Sequence, residues 1–323
     1  MPVKHRILAI RLSAMGDIIH ALPAVASLKH SFPHSHISWI VSRKWAPLLE
    51  GNPFLDEVIP FDRTSLKSLF FVQGRLRREK FDFVVDFQGL IQTALIAFVS
   101  RTEKVYGFHP SELRERAAGL FYSHQVRTAA AHVVEKNLEL AAAVGASNLL
   151  RTFPIPAGAA EGVLPEGAFI LASPLAGWAA KQWPLEYYGI LAGLLKRRHG
   201  VTLVFNGPPG AVETLAKVPD VAVHVSGLPG LIHATRQALG VVGVDSGPLH
   251  LAAALRKPGV AIFGPTDPAR NGPYGETFEV LRAPGAATTY KRNAEVVSSM
   301  RAIQPEEVYE ALKRSVLSSL SIA

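Results

Sequence analysis

A carboxylate, a hydroxyl and an imidazole fall close together in the stretch GVVGVDSGPLHLAAAL, as Asp245, Ser246 and His250. The chemistry that suits them at this spacing is the holding of an anion. Residues 241–244 form an apolar, β-branched run too short for a helix, which reads as a buried parallel strand ending at Asp245. Ser246, Gly247 and Pro248 then turn the chain into an alanine-rich helix over 249–255. Free N–H groups and the positive end of the helix dipole would meet an anion there, and Gly247 lets a phosphate approach the backbone. A second short strand, 259–263, runs into the loops GPTDP and NGPYG, which bring Thr266 and Asp267 to the same rim. Such βα units fill every α/β protein. The density of reactive side chains at the strand ends is what favours a site.

Two further candidates lie elsewhere in the chain. Lys181 and Trp183 stand in SPLAGWAAKQWP, ahead of a helix start at Pro184, and the lysine would bring a cation toward the strand ends. Asp17 follows the apolar run ILAIRL in the turn 13–16, SAMG, at the start of an amphipathic helix. It reads equally as a helix-start acid, worth roughly 0.3–1 kcal/mol against the dipole, or as a carboxylate exposed at the top of a sheet. The turn is no dinucleotide fingerprint, because only Gly16 stands where G-x-G-x-x-G is needed. DFQGLIQTAL repeats the strand, glycine turn, helix pattern and sets Asp86, Gln88 and Gln92 at the same edge.

The elements that must position these residues alternate. Strands are expected over 6–12, 36–42, 57–62, 81–88 and 104–108 with helical stretches between, followed by helices over 112–122 and 132–144. Residues 151–167, RTFPIPAGAAEGVLPEG, read as a linker. The pattern then restarts with strand 169–172, helix 185–198, strand 201–205, a turn NGPPG into a helix through Glu213, strand 221–225 and helix 231–239. After the opening stretch come strand 278–281 and a terminal helix from Pro305 to about Ser319. Alternation of this kind implies right-handed crossovers and parallel, doubly wound sheets. The expectation is an α/β chain of two Rossmann-like domains, 1–155 and 156–323, facing across a cleft as in the GT-B nucleotide-sugar transferases. The second domain would hold a donor diphosphate, and Asp17 would project from the first. No D-x-D metal motif is present, so protein groups would have to stabilise the leaving diphosphate.

Bulk properties narrow the partners. The chain has 323 residues, 48% of them apolar, with no cysteine, which excludes disulfide and thiolate chemistry. No uncharged apolar run reaches about 18 residues, and the start MPVKHRILAIRL lacks a signal-peptide core, so a cytoplasmic location is expected. Lys plus Arg number 34 against 26 acids, a formal +8. Over 63–80 the cations Arg63, Lys67, Arg75, Arg77, Arg78 and Lys80 meet only Glu79, which reads as a face for an anionic partner or as a solvated helix face. No helix-turn-helix, RRM or zinc spacing appears, so no nucleic-acid partner is expected.

The motifs RLSAMGDIIHALPAV, AGWAAKQWP, GVDSGPLHLAAAL and FGPTDP together resemble those of the glycosyltransferase family 9 heptosyltransferases, through essentially the whole chain. The resemblance implies transfer of heptose from ADP-heptose to the lipopolysaccharide inner core. DFQGLIQTAL and RERAAGLFYS are similar to the type that adds the first heptose to Kdo. By this resemblance Asp17 is the catalytic base, and Lys181 contacts the diphosphate and assists its departure. Ser13, Gly16, Glu213, Asp245, Ser246, Gly247 and His250 then belong to the donor site; Ser246 stands where the family commonly has threonine. Arg63, Lys67, Gln88, Arg114 and His132 face the acceptor, an anionic Kdo–lipid A glycolipid reached by peripheral contact with the cytoplasmic face of the inner membrane. No metal and no cofactor besides the donor substrate is implied. The alternatives are a second-heptose or other sugar-nucleotide transferase of the same family and a non-catalytic nucleotide- or glycan-binding protein, which would release no ADP in the presence of acceptor. An oxidoreductase is disfavoured by the missing glycine fingerprint.

Overall fold

The computed structural model describes residues 5–289 and 297–318. The chain divides into two compact units, Met1–Pro156 and Ala157–Ala323. In the first, β1 (Arg6–Ile10), α1 (Met15–Ser31), β2 (His36–Ser42), β3 (Glu57–Phe61), α2 (Leu66–Arg78), β4 (Phe83–Asp86), α3 (Ile91–Val99), β5 (Val105–Phe108), β6 (His124–Val126) and α4 (Val133–Val144) follow in order. The strands form one parallel sheet in the order β3-β2-β1-β4-β5-β6. β1 and β4 lie at its centre, which is why each reads as an uninterrupted apolar run: both faces are covered by helices. α1 is buried along most of its length, and Asn137 of α4 donates to the His20 carbonyl at 3.0 Å to tie the two helices.

The second unit repeats the plan with β7 (Phe169–Ala172), α5 (Leu185–His199), β8 (Thr202–Gly207), α6 (Val212–Leu215), β9 (Val221–Val225), α7 (Leu228–Gln237), β10 (Gly240–Val244), α8 (Gly247–Ala254), β11 (Gly259–Phe263), α9 (Pro268–Asn271), β12 (Phe278–Arg282), α10 (Ser298–Arg301) and α11 (Pro305–Ser315). Its sheet order, β12-β11-β10-β7-β8-β9, is the same topology read from the other edge. The strand order reverses between β1 and β4 in one sheet and between β7 and β10 in the other. At such switch points the loops leaving adjacent strands diverge and open a crevice at the carboxyl edge.

The structure departs from the sequence reading in several elements. Residues 112–122 are not an α-helix but two 3₁₀ turns, Pro110–Glu112 and Arg116–Phe121. Glu112 is drawn away to accept the Thr128 N–H at 2.8 Å, and Gly119 packs so tightly on Pro110 that a Cβ there would stand 2.6 Å from the ring. β6 was not anticipated, because the largely exposed His124–Val126 is a polar edge strand without apolar alternation. α7 begins a turn earlier than 231, with Pro229 in its first turn where the missing N–H costs nothing. α11 runs to Ser315; Ser319 lies outside the described residues.

Candidate functional site

In the second unit the loop leaving β7 and the turn leaving β10 meet at the switch point. Trp183 is buried, donates its indole N–H to the Ile303 carbonyl at 2.9 Å and packs edge-on against Tyr188 at 4.7 Å. This anchor fixes the 3₁₀ turn Ala179–Lys181 that precedes it. Lys181 Nζ lies 2.5 Å from Asp245 Oδ2 and 4.4 Å from the centre of the Trp178 ring. His250, in the first turns of α8, places Nε2 3.4 Å from the other carboxylate oxygen of Asp245. Burial pushes the Asp245 carboxyl up, but the His250 hydrogen bond and the Lys181 charge together outweigh it and hold the group below the usual carboxylate range. The cluster therefore keeps a buried anion paired with a lysine at the mouth of a helix.

Around it stand hydroxyls. Ser246 is the N-cap of α8, yet its side chain makes no capping bond. Its Oγ, Ser173 Oγ after β7 and Thr266 Oγ1 after β11 are all buried without a hydrogen-bond partner among the described residues. β11, β10 and β7 are neighbours in the sheet, so the three hydroxyls leave adjacent strand ends. A buried hydroxyl left unpaired costs about 1–3 kcal/mol, so three at one edge mark a surface prepared for an oxygen-rich anion. Asp267, by contrast, acts locally and caps α9 by accepting the Ala269 N–H at 3.0 Å. Gly247 opens α8, as its expected role requires. Glu213 is exposed on the short α6 beyond β8 and makes no ion pair among the described residues.

In the first unit Asp17 occupies the third position of α1. Its Oδ2 accepts the Ala14 N–H at 3.0 Å and pairs with Arg11 at 2.9 Å, while 43% of the side chain remains exposed. The two readings of this residue are thus compatible: it closes the first turn and still offers a carboxylate to solvent. Arg11 also donates to the Phe87 carbonyl, which ties the end of β1 to the loop after β4. Gln88 completes the link, its Oε1 accepting from Leu12 N at 2.7 Å and Ser13 N at 3.2 Å. Gln88 is itself held by Asp86, which accepts the Gln88 N–H at 2.8 Å and the Tyr122 hydroxyl at 2.7 Å. Burial raises the Asp86 carboxyl pKa. Gly89, with φ +71°, completes the turn where a Cβ would collide with the Leu113 side chain.

Of the expected acceptor residues, Gln88 is therefore joined to the Ser13 and Gly16 turn that carries Asp17. His132 caps α4 by accepting the Val134 N–H at 3.1 Å, and its ring lies 5.7 Å from that of His20, one turn along α1 from Asp17. Arg63 and Lys67 are exposed where β3 passes into α2, and Arg114 pairs with Glu115 at 3.3 Å; the structure places none of these against Asp17. The basic segment needs one correction. Arg75 is neutralised by Glu57 of β3 and by Glu79 at 2.9 Å, so it contributes no free charge.

Arg11, Ser173, Trp178 and Tyr122 escaped the sequence reading. Arg11 had a signal, a lone cation closing an apolar strand ahead of an acid. Trp178 takes its meaning from the turn that folds Lys181 over its ring, and Ser173 and Tyr122 take theirs from neighbours far apart in the chain.

The glycosyltransferase family 9 (heptosyltransferase) model matches residues 71–299. Lipopolysaccharide heptosyltransferase 1 of Escherichia coli K12 is 29% identical over 309 residues, covering 86% of this chain and 94% of that protein. The Pseudomonas aeruginosa protein of the same name is 29% identical over 298 residues, covering 84% and 82%. The solved structure of E. coli heptosyltransferase WaaC with ADP superposes with a TM-score of 0.77 at 26% identity, covering 96% of this chain and all of that one. Two parallel six-stranded sheets in this arrangement are the GT-B fold.

Proposed function

The chain belongs to glycosyltransferase family 9, and from that premise we propose that it transfers heptose from ADP-heptose to a Kdo-bearing inner-core acceptor, with inversion at the anomeric carbon. The observation that carries the donor assignment is the Lys181–Asp245–His250 cluster at the start of α8, with the hydroxyls of Ser173, Ser246 and Thr266, unpartnered among the described residues, at the ends of the adjacent strands. Lysine, hydroxyls and a helix N-terminus are what a diphosphate needs. Asp245 holds the lysine in place before the donor arrives.

Asp17 takes the proton of the attacking acceptor hydroxyl. Both of its internal contacts fall on Oδ2, so Oδ1 is the natural proton acceptor, and it must come within about 3 Å of the acceptor oxygen. That oxygen forms a bond to the anomeric carbon as the bond from this carbon to the diphosphate oxygen breaks. The electron pair leaves with ADP, whose growing charge Lys181 and the α8 terminus stabilise. Arg63, Lys67, Arg114 and His132 serve an anionic Kdo–lipid A acceptor met at the cytoplasmic face of the inner membrane. A turnover assay of the purified chain with ADP-heptose and other sugar nucleotides, with and without Kdo-bearing acceptor, tests this reading. Acceptor-dependent ADP release with ADP-heptose is the expected outcome; release only with another donor, or none, would refute it.

A further inference from the structure

Resting on the reading that the acceptor is a glycolipid, we propose that the outer face of α2 and α3 docks on an anionic phospholipid bilayer, with Phe70, Phe71 and Phe98 entering its interface. Helical geometry explains the face. At 3.6 residues per turn, Lys67, Phe70, Phe71, Gly74, Arg77 and Arg78 share one side of α2, while Val72 and Leu76 on the other are buried against the sheet. The stripe therefore reads cation, aromatic pair, cations along one edge. α3 carries a matching stripe, Ile91, Leu95 and Phe98, at the spacing i, i+4, i+7.

These side chains are exposed. Phe70 is 66% accessible, Phe98 63% and Leu120 of the adjacent 3₁₀ turn 85%. Among the described residues of this unit, every exposed leucine, isoleucine, valine, phenylalanine, tyrosine, tryptophan or methionine lies on α2, α3 or that turn. Scattered apolar residues need no explanation, but a single concentrated patch does. Between the helices an apolar groove of about 530 Å³ is lined by Phe61, Leu69, Leu76, Ile91, Leu95 and Val99.

The rim decides the occupant. Lys67, Arg77, Arg78 and Arg101 are exposed and make no ion pair among the described residues. Arg77 and Arg101 line a second cavity of about 410 Å³ together with Phe98 and Phe121, and Glu103 is the one acid there. Guanidinium groups beside aromatic rings suit a phosphate attached to acyl chains. A helix with aromatics between cations is the form that lies in a bilayer interface, and anionic lipid adds attraction for each cation near the surface. A rim in which cations outnumber acids favours this over a second copy of the chain, which would bring an excess of like charge together.

The test is sedimentation of the full chain with vesicles of phosphatidylcholine alone and of phosphatidylcholine with phosphatidylglycerol, at low and high salt. The protein should bind the anionic vesicles, less so as salt rises. Replacing Phe70 and Phe71 together by glutamine should weaken binding on the order of tenfold or more, and Arg77→Gln with Arg78→Gln should remove most of its salt dependence. Circular dichroism and ADP calorimetry on the same variants should match wild type, which separates lost docking from lost folding. Wild-type vesicle binding by the phenylalanine variant would overturn the proposal. So would a dimer in solution that this variant dissociates while neither protein binds vesicles. Vesicle binding without heptosyl transfer would sustain the surface and refute only the acceptor assignment.

Discussion

Replacing Lys181 with methionine separates its two proposed roles, counterion to Asp245 and contact to the donor diphosphate. The lysine side chain is 16% exposed and that of Asp245 only 7%, at 2.5 Å. Removing one partner of a buried pair costs about 3–5 kcal/mol, because the other charge is left uncompensated. His250, still 3.4 Å away, argues for the lower end. About 3 kcal/mol corresponds to a fall of roughly 6–12 °C in Tm for a unit of this size. The same substitution removes a charge-assisted hydrogen bond to the diphosphate, roughly 1.5–3 kcal/mol, or about 10–150-fold in the Kd for ADP. Adding Asp245→Asn should recover most of the lost Tm, since no orphan charge remains, but not the ADP affinity. Scanning calorimetry and titration calorimetry on the two variants make the comparison. Recovery of ADP affinity in the double variant would show that Lys181 serves only as a counterion, and unchanged ADP binding in the single variant would move the phosphate site elsewhere.

Ser246→Ala should weaken ADP about 10–150-fold, the worth of one hydrogen bond to a charged group, with Tm unchanged, because the hydroxyl is unpartnered among the described residues; a lower Tm with unchanged affinity would assign the hydroxyl to the fold. Arg63→Ala with Lys67→Ala should raise the acceptor KM and make it less salt-sensitive while leaving the donor KM nearly unchanged, and a rise in donor KM alone would contradict that. For Asp86, burial raises the folded pKa above the ordinary aspartate value of 3.8, so the folded state holds more protons than the unfolded one as pH climbs from the unfolded pKa toward the folded pKa. Stability from this group accordingly falls with rising pH across that window. Asp86→Asn should flatten that part of the Tm-against-pH curve, and an unchanged curve would show that the carboxyl is ionised throughout.

The doubly wound topology was legible because its central strands announce themselves. Val241 to Val244 and Phe83 to Asp86 lie in runs that two covered faces require, and each ends in a glycine-containing turn before a helix. Asp245 and His250 were legible for the same reason, being five residues apart on one strand, turn and helix. Less could be read where meaning comes from pairing across the sheet. Gln88 supports the Asp17 turn only because β1 and β4 are hydrogen-bonded neighbours, although 75 residues separate it from Ser13. Tyr122 sits where an α-helix was expected, and its bond to Asp86 spans 36 residues. The exposed phenylalanines of α2 were masked by the charges beside them: the run read as a basic segment, and only burial shows which side of the helix faces the sheet.

The most direct test of Asp17 as the base is the acceptor-dependent rate of ADP release from ADP-heptose by the Asp17→Asn variant beside wild type. The substitution keeps the side chain's shape and its acceptor oxygen for the Ala14 N–H while removing the base. Turnover should fall about 10²–10⁴-fold with ADP affinity within a few-fold of wild type, since the Lys181–Asp245–His250 cluster proposed to hold the diphosphate belongs to the other unit. Turnover within a few-fold of wild type would contradict this and leave Asp17 a helix-start acid.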